Sequence, residues 1–304
     1  MERLEGLVER LDALFDLSRV PADPSMSRAV PRAYESAGVD WQRSFEPAFA
    51  TRFNGLMLRG AEEVHTVFCT VFPAPEVLEA FLAQAVPGDL LFSHHPIMME
   101  SGDPRGRWGR GFLPIDEAHL RAMQSKRLSF YACHAPLDYS RELGTSAALA
   151  NALGVEDRQP CAPGTYGDCG VVGTIAPIST DGLIAELRRI LHLPYVDLEG
   201  PRHERLTRIA VVAGAADRVE WMADAAQKGA QAYVGGEIHC HIDNDYGRQR
   251  FAEMLRYAAT TPMSLIGVSH AASEYLVMPD QMVPWLRAHC RVETRLLPMR
   301  HWWV

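Results

Sequence analysis

The stretch VHTVFCTVFPAPEVLEAFLAQAVPGDLLFSHHP (residues 64–96) decides the fold. Its first nine residues, rich in Val, Thr and Phe, read as a strand. PEVLEAFLAQAV (75–86) reads as a helix opened by proline, and Pro87-Gly88 is punctuation. DLLFS (89–93) is a short buried strand that ends at His94-His95-Pro96. Together they form a strand–helix–strand unit, and the same alternation continues outward. Residues 114–126 read as a helix, LSFYAC (128–133) as a strand ending at His134, and GTSAALANALG (144–154) as a helix stopped by Gly154. The second half repeats it: strand TRIAVVAGA (207–215), helix DRVEWMADAAQKGA (217–230) and strand QAYVGGE (231–237). A helix over 248–258, strand MSLIGVS (263–269) ending at His270, and a helix near the C-terminus follow. Alternation of this kind predicts βαβ units and a largely parallel sheet. Residues 3–16 have the three-and-four spacing of an amphipathic helix. Arg19 to about Asn54 has no clear period and reads as irregular with one short helix, and Glu100–Phe112 reads as a loop.

Two segments echo each other. SFYACHAPLDY (129–139) and SLIGVSHAASEY (264–275) are each an apolar strand ending in His, then three residues, an acid and Tyr. Each follows a strand–helix–strand unit, the first ending at His94-His95 and the second at Glu237. The expected architecture is therefore α/β: two related three-layer α/β lobes with largely parallel or mixed sheets, arising from internal duplication. The lobes are expected over 1–155 and 156–304, with residues from about 260 returning to the first lobe to complete the site.

Bulk composition excludes several classes. The chain has 304 residues, 47% hydrophobic and 22% charged, an ordinary globular balance. A net charge of −8 weighs against extensive nucleic-acid or anionic-membrane binding. No apolar run approaches the roughly 20 residues of a membrane span, and MERLEGLVERLDALF is charged throughout, unlike a secretory signal. A cytoplasmic location is expected. Six scattered cysteines with no C-x-x-C pair read as reduced, mostly buried thiols.

The chemistry gathers at the carboxyl ends of the expected strands, where open α/β sheets bind ligands. Neighbouring side chains on a regular strand point to opposite faces, so His94 and His95 converge only where the strand gives way to a loop. Pro96 favours that, since it cannot donate to a sheet and biases His95 away from helix. His134 with Asp138, and His270 with Glu274, lie four apart beyond two further strand ends, and residues four apart share a helix face. Each pair alone is weak evidence. Together they form a mixed N/O set suited to Zn, Fe, Mn, Co or Ni. Five protein ligands exceed the needs of one catalytic zinc and fit two ions.

In order along the chain, LLFSHHPIM, YACHAPLDYSRELGTSAALANALG, YVGGEIH and GVSHAASE resemble signature segments of the NIF-three-like family, with a looser match at FNGLMLRG. Its members carry the name of type-two homologues of GTP cyclohydrolase I. The resemblance implies two divalent metal ions bound by His94, His95, Asp138, His270 and Glu274, with His134 and Glu237 close by. It also implies a toroidal homohexamer, a dimer of trimers with metal sites facing an interior cavity. The function expected is a metal-dependent hydrolase of a nucleotide-like or other small polar substrate, in which His134 or Glu237 moves protons. The competing expectation is a non-catalytic metal-binding assembly: a store, chaperone, sensor or scaffold.

The chain departs from the family pattern in a longer N-terminal segment, in EIHCHIDNDYGRQR (237–250) and in the Gly/Arg loop after the His pair. His239 and His241 either flank the metal site or lie in a solvated loop. Arg105, Arg107 and Arg110 either cradle an anionic substrate or lie in an ordinary exposed loop. The aromatic tail HWWV is expected to pack on its own chain or a symmetry mate. Gly167, Gly170 and Gly173 around Cys169 form no phosphate-binding fingerprint.

Overall fold

A computed structural model describes all 304 residues. In chain order the strands of the two main sheets are β1 (Gly55–Leu58), β2 (Thr66–Thr70), β3 (Leu90–Ser93), β4 (Ser129–Ala132), β5 (Glu156–Gly164), β6 (Gly167–Ile178), β7 (Asp197–Glu199), β8 (Leu206–Ala215), β9 (Ala232–Glu237), β10 (Ser264–Gly267) and β11 (Glu293–Leu296). The chain divides into two compact units. The first holds Met1–Met99, Phe112–Leu137 and Met278–Arg300; the second holds Glu100–Gly111, Asp138–Val277 and His301–Val304.

The first unit contains a five-stranded sheet in the order β11-β2-β3-β4-β1. The four strands from β11 to β4 run parallel, and β1 closes the edge antiparallel to β4. Helix Pro75–Gln84 connects β2 to β3, and helix Glu117–Ser125, capped by Asp116 accepting from the His119 amide, leads into β4. Strands β1 to β4 are buried along their whole length, as the continuous apolar runs of a parallel sheet require.

The second unit contains a six-stranded sheet in the order β7-β10-β9-β8-β6-β5. Here β8, β9 and β10 run parallel, β7 closes one edge antiparallel to β10, and the hairpin β5–β6 extends the other. Alternating side chains serve two cores, as the period of two dictates. Ala210, Val212, Tyr233 and Leu265 pack with Trp221, Met222 and Met254 from helices Val219–Gln227 and Asp245–Ala258. Ile209, Val211, Val234 and Ile266 pack with Leu149, Leu183 and Leu187 from helices Thr145–Ala152 and Thr180–Ile190. The unit is thus three-layered. Each fully buried Leu contributes about 2 kcal/mol of transfer free energy.

The two sheets share a topology. β2-β3-β4 with antiparallel β1 beside β4 matches β8-β9-β10 with antiparallel β7 beside β10. The sequence echo at 129–139 and 264–275 therefore falls at equivalent places, just past the third parallel strand. No helix is long and apolar enough to cross a membrane.

Two local expectations are corrected. Residues 19–54 hold two α-helices, Met26–Ser36 and Pro47–Arg52, with a 3-10 turn at Trp41–Arg43. The buried stripe Met26, Ala29, Val30, Ala33 and Tyr34 has helical spacing, but two of its members are alanines and Pro31 interrupts it. The stretch 100–112 is not wholly loop, because Met98–Glu100 pairs with Gly111–Leu113.

Candidate metal centre

In the first unit the β3 backbone leaves strand geometry at the histidine pair. The amide of His94 donates to the carbonyl of Thr70 on β2 at 3.1 Å, and that of His95 to the next carbonyl, of Val71, at 2.8 Å. In a regular strand consecutive amides point to opposite neighbours, so this departure lets two adjacent imidazoles turn the same way. The Ser93 hydroxyl donates to the His95 carbonyl at 2.7 Å and pins the turn. The His95 ring stacks on Phe72 with centroids 3.9 Å apart. The His134 ring lies 5.1 Å from that of His94 and 4.7 Å from that of His95. One ligand atom from each of the three falls within 4.8 Å of the others.

The nitrogen facing this cluster is decided by what the other nitrogen touches. His94 Nδ1 lies 2.9 Å from the Cys133 carbonyl oxygen, which can only accept, so a neutral His94 keeps its lone pair on Nε2. His134 Nδ1 lies 2.9 Å from Asp23 Oδ2, which selects the same tautomer. An imidazole whose far N–H is held by a carbonyl or carboxylate is the usual preparation of a metal ligand. Asp23 is fully buried, and it also accepts from the amides of Ser25, Met26 and Ala135. Burial alone would raise its pKa. The field and hydrogen bond of His134, with the Met26 and Ala135 amides, outweigh that and hold it well below the ordinary carboxylate range. Asn54 Oδ1 accepts from the His134 amide at 2.7 Å and fixes the backbone there.

In the second unit Glu237 ends β9, and His270 opens the helix His270–Tyr275. One helical turn brings Glu274 Oε1 to 3.1 Å from His270 Nε2, and Glu237 Oε1 lies 3.4 Å from Nδ1. All three side chains are buried. Burial would lower the imidazole's pKa, but the carboxylates of Glu274 and Glu237 prevail and push it up to about 10. A buried imidazole between two carboxylates leaves surplus negative charge that a proton or metal ion neutralises. Ser269, the residue before His270, has φ of 72°, a left-handed conformation that costs on the order of 1 kcal/mol outside glycine. It swings the chain from strand to helix, and its hydroxyl caps the helix by accepting from the Ala272 amide. Gly214, with φ of +75°, passes so close that an added Cβ would stand 2.3 Å from Glu274 Oε1. Asp138, half-buried at the end of helix Ala135–Asp138, accepts from the Thr145 hydroxyl at 2.8 Å.

The donor set fits a transition metal. The first unit offers imidazole nitrogens, those of His94 and His134 held from behind, and the second a buried imidazole beside buried carboxylate oxygens. His134, expected as a proton mover, stands with His94 and His95 as a potential donor. Glu237 and Glu274 flank His270.

The solvated reading of His239 and His241 is overturned, for both are buried among Trp108, Phe251 and Asp197. The arginines of the 105–110 loop are engaged within their own unit. Arg110 pairs with Glu100, Arg107 donates to the Trp303 carbonyl and Arg105 lies over the Tyr195 ring. The tail packs on its own chain, with Trp303 stacked on Tyr195 and Trp302 against Tyr275. Asp23, Asn54 and Gly214 escaped the sequence reading. The signal for Asp23 was an Asp three residues before the start of a helix, a cap whose second oxygen serves His134. The signal for Gly214 was a glycine in an otherwise apolar strand, a mark of close approach.

The family model for Duf34/NIF3 (NGG1p interacting factor 3) matches residues 45–299. A Pasteurella multocida protein named GTP cyclohydrolase 1 type 2 homolog is 27% identical over 189 residues, 61% of this chain and 70% of its own. A Pyrococcus horikoshii protein of the same name is 29% identical over 230 residues, 73% of this chain and 80% of its own. Among solved structures, the Thermus thermophilus protein TTHA1606 superposes with a TM-score of 0.63 at 20% identity, covering 98% of this chain and 99% of its own. A Bacillus cereus protein related to NIF3 does so with 0.59 at 12% identity, covering 88% and 96%. At such identities the structures speak for the fold.

Proposed function

For a chain that belongs to the Duf34/NIF3 family, we propose a metal-dependent hydrolase of a nucleotide-like or other small polar substrate. In this reading His94, His95, Asp138, His270 and Glu274 gather two divalent ions. The observation that carries it is the pair His94 and His95 with His134 beside them as base, one nitrogen of each lying within 4.8 Å of the others. Two of the three have their lone pairs directed by the Cys133 carbonyl and Asp23. The name GTP cyclohydrolase 1 type 2 homolog, carried by the relatives, supports a nucleotide as the first substrate to try.

Bound divalent ions supply Lewis acidity, polarising the group under attack and making a hydrolytic water acidic at neutral pH. The chain's own groups do the rest. Asp23 holds His134 in one tautomer, so His134 Nε2 is the atom able to take a proton from the water. The group that takes that proton, His134 or else Glu237, whose carboxylate stands 3.4 Å from His270 Nδ1, would pass the same proton on to the leaving group. Burial of the donors excludes bulk water and strengthens every charge interaction.

The test is to strip the protein with chelator, reload it with Zn, Mn, Co or Fe, and assay it against GTP, other nucleotides, phosphoesters and cyclic amides. Metal-dependent turnover that Asp138→Ala abolishes is expected. Full metal loading with no turnover on any class would favour the storage or scaffold reading instead. A homohexamer belongs to the same proposal, and light scattering should give six times the chain mass.

A further inference from the structure

The helix that carries His270 and Glu274 has only six residues, His270–Tyr275, too few to hold themselves helical unaided. It opens from Ser269, whose left-handed φ of 72° persists only where the surroundings fix it. The segment His301–Val304, in the same unit, supplies those surroundings. The Ser269 hydroxyl has a single proton, which it donates to the Trp302 carbonyl. Its lone pairs are thereby left to the helix, where one accepts from the Ala272 amide. At the far end of the helix the Trp302 ring meets the Tyr275 ring, with centroids 5.1 Å apart. Between those ends, Trp302 packs on the core that contains Val268 and Ala272. One residue thus clasps both ends of the turn that sets His270 against Glu274.

The clasp is itself anchored. The Trp303 carbonyl accepts from Arg107 Nη2 at 2.7 Å, and the Val304 carbonyl from the Gly102 amide at 2.6 Å. The Ser101 hydroxyl adds a longer bond to that same oxygen, at 3.3 Å. The Trp303 ring lies parallel to that of Tyr195, whose hydroxyl donates to Asp103. Residues 101–107 therefore grip the segment, which gives the Gly/Arg loop a task other than anion binding. A segment that merely filled a groove would need only to bury its rings. Here each carbonyl from 302 to 304 has its own donor as well.

We propose that residues 301–304 are a clamp on the His270–Tyr275 helix. Trp302 is its positioning residue, holding His270 Nε2 and Glu274 Oε1 at their 3.1 Å spacing. The consequence for metal rests on the dinuclear reading, in which both residues are ligands. Groups that orient ligands from behind typically matter about 10- to 100-fold in metal affinity.

The test uses the full chain after chelator treatment, with two readouts: amide hydrogen exchange without metal, and Zn²⁺ affinity by calorimetry. Trp302→Ala should speed exchange of the amides of residues 272–275 by about tenfold or more, and leave helix Val219–Gln227 unchanged. It should also weaken Zn²⁺ binding at least about tenfold. Trp302→Phe, which keeps a ring against Tyr275, should restore both. Trp302→Leu keeps apolar bulk and carries the test if the Ala variant misfolds. Unchanged exchange over 272–275 would overturn the proposal. So would faster exchange with unchanged affinity in a chain whose zinc Glu274→Ala removes, since Trp302 would then only pack. If Glu274→Ala loses no zinc, the dinuclear reading fails by itself, and the exchange result, with its rescue by Phe, still decides for or against the clamp.

Discussion

The two units place a histidine at the same point of the same topology and then treat it differently. His134 follows the third parallel strand of the first sheet, and His270 follows that of the second. His134 meets one carboxylate, Asp23, whose charge is already shared with three backbone amides. His270 meets two, Glu237 and Glu274, and its pKa rises to about 10. One arrangement orients an imidazole donor; the other holds negative charge in wait for a cation. The topology supplies the position, and the neighbouring acids decide the chemistry.

The largest way to break the comparison is Asp23→Ala. It strands three amides and His134 Nδ1 in a buried site, and should cost about 4 kcal/mol by denaturant unfolding. A cost below about 1 kcal/mol would show that Asp23 does not organise the first unit. Gly214→Ala should cost on the order of 3 kcal/mol, since it combines a positive φ with a Cβ driven against Glu274. Gly154→Ala is its control: it has φ of +62° with open space around it, and should cost only about 1 kcal/mol. Equal costs would mean that the close approach in the second unit is not what Gly214 serves.

Chelation sharpens the contrast further. Metal at about 100 times its dissociation constant stabilises by about 2.7 kcal/mol, so the stripped protein should melt earlier, and Glu274→Ala should respond less to added metal than the wild type. A smaller effect lies in acid. The folded pKa of Asp23 is below its unfolded value of about 3.9, so its contribution is present above that pH and is lost as pH falls toward the folded value. The stability gap between wild type and Asp23→Asn should therefore narrow below about pH 4. A gap constant down to about pH 2 would contradict the coupling to His134.

The central strands were legible because they announce themselves twice, by apolar runs such as LLFS and AYVGGE and by a polar residue where each run stops. His94, His95, His134 and His270 were visible for that reason. What supports them was not. Asp23 is 111 residues from His134 and Asn54 is 80, and no local pattern encodes a hydrogen bond across such a span. The hairpin β5–β6 was missed because QPCAPGTYGDCG breaks every alternation with proline and glycine, and β5 is largely exposed. His239 and His241 looked solvated because Asp243 and Asp245 follow them, yet Trp108 and Phe251, distant in sequence, cover them.

The most direct test is anomalous diffraction from crystals grown with excess Zn²⁺ or Mn²⁺. Two strong peaks ligated by His94, His95, Asp138, His270 and Glu274 are expected. Peaks elsewhere only, or those five side chains without metal between them, would contradict the account.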